Sequence, residues 1–133
     1  MSNLKHNRTC VFNLGYHIVW STKYRRQVLV GDIDVSLKNI LNEIAKDKGF
    51  SIKEIEIMPD HVHVFVESNP KIAPTYIYKM LKGISARKLL IKHQEIKKNL
   101  WNNNLWNPST YIESVGNISR ESIIKYINNQ KTK

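Results

Sequence analysis

From residue 61 the chain reads His-Val-His-Val-Phe-Val-Glu, with a valine at every second position. Side chains of a strand alternate between faces, so Val62, Val64 and Val66 point into a core while His61, His63, Phe65 and Glu67 share the other side. A slip of one residue would turn the whole valine set out to water, which fixes the register. The tight Pro59-Asp60 step just before it joins this strand to another over 50–58, making a hairpin.

The remaining segments can complete a sheet around that hairpin. Residues 11–22 set Leu14, Tyr16, Ile18 and Trp20 against Asn13, Gly15, His17 and Val19, a half-buried strand. A basic turn follows, and Asp32 or Asp34 can cap a helix to about Lys48. Val35, Leu37, Ile40, Leu41 and Ile44 lie along it at helical spacing, and Gly49 closes it. Asn69-Pro70 opens a connection to a long helix over about 72–94, which sets Lys79 and Lys82 opposite Ile77, Met80, Leu81, Ile84 and Ile91. A polar loop over 99–109 carries Trp101 and Trp106, and Tyr111–Val115 reads as a short strand. After a bend at Gly116, Ser119 or Asn117 caps a final helix through Gln130. The order β-α-β-β-α-β-α is that of an α+β, ferredoxin-like (RRM-like) antiparallel sheet with helices on one face, plus one C-terminal helix. No linker-like stretch divides residues 1–133, so one domain is expected.

Composition narrows the partners. Lys and Arg number 21 against 11 Asp and Glu, a formal net charge of +10, which suits a polyanion, most simply nucleic acid. The alternative is a lysine-rich solvated surface, so placement counts for more than the total. Lys23, Arg25 and Arg26 cluster after the first strand, and Lys79, Lys82 and Arg87 lie on the second long helix; these six are the candidate phosphate contacts. The single cysteine, Cys10, excludes an intrachain disulfide framework. There is no apolar run of the ~20 residues a membrane span needs, nor an apolar stretch in the first ten residues. A soluble, cytoplasmic chain with no membrane partner is expected.

Two patterns carry chemistry. His61 and His63, two apart on one strand face, are about 7 Å apart at Cβ, close enough to share a divalent ion. With 5 histidines in the chain, chance supplies roughly 0.2 such pairs, so two surface histidines on a partly exposed strand are the alternative. In the last helix Tyr126 and Gln130 are i and i+4, on one face. A phenol there can be a core side chain with a wet hydroxyl, or a nucleophile with an amide oxygen beside it. Tyr24, Tyr76, Tyr78 and Tyr111 lack such a neighbour in sequence. Oxygen and nitrogen donors without thiolate suit Mg²⁺ or Mn²⁺ better than a structural zinc.

The chain resembles the small single-tyrosine HUH transposases of insertion sequences, the TnpA type. The resemblance rests on Tyr16-His17-Ile18-Val19-Trp20-Ser21-Thr22-Lys23-Tyr24-Arg25-Arg26, on Met58-Pro59-Asp60-His61-Val62-His63-Val64 and on Leu81-Lys82-Gly83-Ile84-Ser85-Ala86-Arg87. It continues through Leu105-Trp106-Asn107-Pro108-Ser109, Glu113-Ser114-Val115-Gly116 and Tyr126-Ile127-Asn128-Asn129-Gln130, so it runs in order from about 11 to 130. Asn107 departs from the pattern, where serine is expected. The resemblance implies a prokaryotic enzyme that cleaves and rejoins single-stranded DNA at hairpin ends of its own element. It implies His61, His63 and Gln130 as ligands of a divalent metal, Tyr126 as the nucleophile, and a homodimer whose sites combine residues of both chains.

Two other readings remain open at this level. A non-catalytic single-strand-binding module on the same scaffold would display aromatics on its central strands; here only Phe65 accompanies the two histidines. A phosphodiesterase using activated water would turn over without a covalent adduct. Trp101 or Trp106 could stack bases, or anchor their loop in the core.

Overall fold

The computed structural model describes residues 5–6, 11–12 and 14–115. A two-residue ladder pairs β1 (Lys5–His6) with β2 (Val11–Phe12). The main sheet contains β3 (Leu14–Ser21), β4 (Ser51–Met58), β5 (His61–Ser68) and β6 (Tyr111–Val115) in the order β4-β5-β3-β6, with every pairing antiparallel. Helices α1 (Asp32–Lys48) and α2 (Pro74–Lys92) are the crossovers. With β3 and β5 central and the hairpin partner β4 at one edge, this is the ferredoxin-like arrangement expected from the element order. The stretch read as one strand over 11–22 is two: β2 pairs with β1, and the central strand begins at Leu14.

Both helices cover one face of the sheet. Ile18 and Trp20 of β3 and Val62, Val64 and Val66 of β5 are buried there, all at 2% exposure or less, with Leu37, Leu41 and Ile44 of α1 and Ile77, Leu81 and Leu89 of α2. The α2 contribution is an i, i+4 stripe, Ile77-Leu81-Ser85-Leu89. Ile91, placed on the apolar side by spacing, is 67% exposed because the helix ends at Lys92, beyond the sheet it covers.

Local chemistry explains the boundaries. Helix α1 is entered through Gly31 (φ 60°), so Asp32 and Asp34 fall inside its first turn and not at the cap; they act on the helix dipole by charge. Asp34 also meets Lys38 at 3.6 Å. Gly49 ends the helix in the left-handed conformation expected of it, with φ 85°. Asn69 turns the chain after β5, its Oδ1 accepting from the Lys71 amide at 2.9 Å, and Pro74 opens α2 where its missing N–H costs nothing. Residues 94–99, which bridge the end of the helix and the start of the loop as read in sequence, form a 3₁₀ turn.

Of the two tryptophans weighed as stacking platforms, Trp106 is a core anchor. It is buried edge-on to Trp20, with ring centroids 5.8 Å apart, and its Nε1–H donates to Ser85 Oγ at 3.1 Å. Trp101 is 66% exposed.

Candidate active site

On the sheet face away from α1 and α2, register assembles the polar residues. His61 lies opposite Met58 and Ser21, and His63 opposite Glu56 and Val19. His17 lies opposite Phe65 on one side and Glu113 on the other. Burial along this face is graded. Phe65 and Glu67 are 0% and 2% exposed, whereas His61 and His63 are only half-buried. The face is therefore closed at the far end of β5 and open at its start. There an open cleft of about 340 Å³ is lined by Val19, Trp20, Ser21, Arg25, His61, His63, Ser109 and Tyr111.

Each cleft histidine has one ring nitrogen engaged behind it. His61 Nδ1 is 2.6 Å from Asp60 Oδ1, and the other carboxylate oxygen accepts from Arg25 Nε at 2.9 Å. Because a carboxylate only accepts, the proton of this bond sits on His61 Nδ1. Burial pushes the Asp60 carboxyl up, but hydrogen bonds from His61 and Arg25, with their charge, outweigh it and hold the group below the usual carboxylate range. His63 Nδ1 is 3.2 Å from Nε2 of His17, a fully buried imidazole stacked on Phe65 with centroids 4.8 Å apart. Burial first, and the neighbouring His63 second, lower the pKa of His17 to about 4, so it is neutral at pH 7.

These contacts bear on a divalent ion. The His61 and His63 rings are 5.0 Å apart at their centroids. Each ring thus has its Nδ1 engaged within the fold. That donor chemistry, two imidazoles each oriented through its other nitrogen, fits two ligands of a shared divalent cation. Among the described residues no group of three or more His, Cys, Asp and Glu forms a metal cage. Gln130, the third ligand implied by the resemblance, and Tyr126 lie outside the described residues.

The six candidate phosphate contacts separate. Arg25 lines the cleft, Arg26 next to it in the chain is exposed, and Lys23 is half-buried with its ammonium over the Tyr24 ring. Lys79 and Arg87 are exposed on α2, on the opposite side of the sheet from the cleft. Lys82 is committed elsewhere. Its Nζ lies 2.8 Å from both Asn107 O and Thr110 Oγ1, and 3.3 Å from Pro108 O and Ser109 O. Burial lowers its pKa. It clamps the loop that carries Ser109 to the cleft wall.

Three features went unread in sequence. His17 was placed on the right face, but its pairing with His63 depends on the β3–β5 register. Arg25 reaches Asp60 only because Tyr24 and Arg25 both adopt left-handed conformations, φ 57° and 55°. Such conformations cost a non-glycine residue roughly 1–2 kcal/mol each. Tyr111 is the tyrosine that lines the cleft among the described residues. Partial burial, then the charge and hydrogen bonding of Glu113, raise its phenol pKa, which disfavours the phenolate.

The chain matches the family model described as "Transposase IS200 like" over residues 10–130. It is 43% identical over 130 residues to the ISDra2 transposase TnpA of Deinococcus radiodurans, covering 98% of this chain and 93% of that one. It is 32% identical over 128 residues to the transposase of insertion sequence IS200 from Salmonella typhimurium, covering 96% and 82%. A crystal structure from Deinococcus radiodurans, described as a transposase, superposes with a TM-score of 0.80 at 40% identity, over 95% of this chain and 97% of that chain. A REP-associated tyrosine transposase bound to a REP hairpin shares the fold, with a TM-score of 0.62 at 16% identity, over 96% of this chain and 73% of that chain.

Two outcomes test this geometry. In the presence of a chelator, folding stability falls as pH drops from about 6.5 towards 4. The unfolded chain protonates His17 in that window and the folded chain does not, so this contribution is complete above it. Urea titrations over a pH series should show the slope, and His17→Phe should flatten it. Replacement of Lys82 by Met removes the donor for several carbonyls and should lower stability by about 1–3 kcal/mol. Amide exchange should then accelerate in Asn107–Thr110 while the β5 amides stay protected.

Proposed function

The chain belongs to the IS200-like transposase family, and from that premise we propose that it cleaves and rejoins single-stranded DNA through a tyrosine ester, mobilising an insertion sequence. The observation that carries this reading is the open cleft in which His61 and His63 stand side by side, each held from behind, by Asp60 and by His17. Hairpin ends of the element are the proposed substrate.

His61 and His63, with Gln130, would hold one Mg²⁺ or Mn²⁺. When bound, that ion supplies charge neutralisation and polarisation at the scissile phosphate. Asp60 keeps the proton of His61 on Nδ1 and so leaves Nε2 free to ligate. His17, neutral and buried, can accept a hydrogen bond from His63 Nδ1–H and so favour the same tautomer there. Arg25 has its Nε fixed on Asp60, which leaves the terminal nitrogens of its guanidinium for a phosphate oxygen at the cleft. The Tyr126 hydroxyl attacks phosphorus, losing its proton as it does so, since a phenol of pKa near ~10 is about 0.1% ionised at neutral pH. The P–O3′ bond breaks, leaving a 5′-phosphotyrosine and a free 3′-OH. Attack by another 3′-OH on that ester reverses the step and restores the phenol, without an external energy source. In the homodimer, the histidine pair of one protomer would work with the tyrosine helix of its partner.

One observation favours a second nucleophile: Tyr111 lies in the cleft itself. Its raised pKa and the Glu113 carboxylate beside it argue against that role, because both oppose the phenolate and an approaching phosphate. The single-strand-binding module is disfavoured by Phe65, which is fully buried against His17 and cannot stack a base.

Covalent capture on end-labelled single strands spanning the gene's flanks, with Mn²⁺, tests the mechanism. A denaturant-resistant adduct should form on Tyr126, be absent from Tyr126→Phe and from chelated samples, and be absent with duplex. An adduct mapped to Tyr111 would move the nucleophile, and cleavage that survives Tyr126→Phe would contradict the tyrosine mechanism. Mixing His61→Ala with Tyr126→Phe chains should recover activity if the sites are composite; continued inactivity assigns both groups to one chain.

A further inference from the structure

The turn after β3 is rigid, strained and aromatic. Thr22 is fully buried, and its amide and hydroxyl bond to Asp60 O at 2.9 and 3.3 Å; the hydroxyl also donates to Arg26 O at 2.7 Å. The Lys23 amide donates to Leu105 O at 2.8 Å. These bonds hold Tyr24 and Arg25 in consecutive left-handed conformations. For Arg25 the conformation has a visible use, since it aims Nε at Asp60. For Tyr24 it has none among the described residues. Its side chain is 63% exposed, and its ring is met by the Lys23 ammonium, 5.5 Å from the centroid. Glycine or asparagine would adopt this turn at lower cost, so the aromatic ring answers to something outside the described fold.

We propose that Tyr24 is a stacking platform for an unpaired nucleobase, one that flanks the phosphate held in the His61–His63 cleft. The inference deepens the single-stranded-DNA reading above and rests on it. Tyr24 is the immediate chain neighbour of Arg25, which lines that cleft, and one residue is a short step from the cleft to the ring. Lys23 stands over the ring, and Arg25 and Arg26 follow it in sequence, supplying the positive charge a sugar–phosphate backbone requires. A flat π face among cations at the mouth of a phosphate site is the pairing that single-strand-binding proteins use. It is tolerant of sequence, because every base has a π face. A duplex, with its bases already stacked on one another, has nothing to offer this ring.

An abasic scan tests the assignment. Binding of single-stranded oligonucleotides from the gene's flanks is measured by fluorescence anisotropy, with one base at a time removed, for the native chain, Tyr24→Phe, Tyr24→Leu and Tyr24→Gly. Tyr24→Leu should weaken binding about 5- to 100-fold, and Tyr24→Phe should match the native chain. Removing the base at one position should weaken the native chain by that same factor and leave Tyr24→Leu unchanged, the non-additive signature of a direct contact. Tyr24→Gly should bind as weakly as Tyr24→Leu while melting at an equal or higher temperature, which separates a lost contact from a damaged fold. Native-like binding by Tyr24→Leu, or an equal loss on intact and abasic strands, would overturn the platform while leaving the DNA reading standing. Failure of the native chain to bind any single strand would overturn both.

Discussion

Strand β5 is paired on both edges, with β4 on one side and β3 on the other, along nearly its whole length. It cannot slip by one residue against either neighbour without turning Val62, Val64 and Val66 out of the core. The same constraint that buries three valines therefore delivers His61 and His63 to the opposite face, at the end where that face is open. It also sets His17 across from Phe65, one step along from His63, so the imidazole partner of His63 comes with the ladder. The core thus aims the cleft, and the chemistry of the cleft needs no flexible positioning of its own.

The supports behind the two histidines differ in kind. His61 is held by charge, through a carboxylate that Arg25 keeps ionised. His63 is held by a neutral ring in a dry environment, where burial has stripped His17 of its proton. The carboxylate fixes the proton of His61 on Nδ1, and the same tautomer at His63 is the one the proposed cation requires. Charge on the rest of the surface is less focused than the net +10 suggests. Lys79 and Arg87 stand on the far layer of the sheet, and Lys82 spends its ammonium on the loop from Asn107 to Thr110. Of the six cations first considered, Arg25 is the one that lines the cleft.

Period-two alternation made β5 readable residue by residue, because side-chain direction in a strand is a local property. Helices α1 and α2 were readable for a similar reason, and Gly49 stopped α1 where its positive φ was needed. What escaped were the consequences of register between distant segments. Nothing local to His17 says that it will meet His63, 46 residues away, and nothing local to Lys82 says that four oxygens of a later loop will surround it. The left-handed pair Tyr24-Arg25 escaped because neither residue favours that conformation; it is imposed by Thr22 and Asp60. Asp32 and Asp34 misled the capping assignment because Gly31 already supplied the entry geometry, leaving them to act through charge alone.

The central proposal is that His61 and His63 bind one cation through their Nε2 atoms. Nitrogen-15 NMR of the five histidines, followed during Mn²⁺ titration, tests it most directly. The account predicts His61 and His63 in the Nδ1–H form, with their Nε2 resonances broadening together at the lowest Mn²⁺ concentrations, ahead of His6, His17 and His93. Protons found on Nε2 of His61 or His63, or broadening that begins at another histidine, would contradict it.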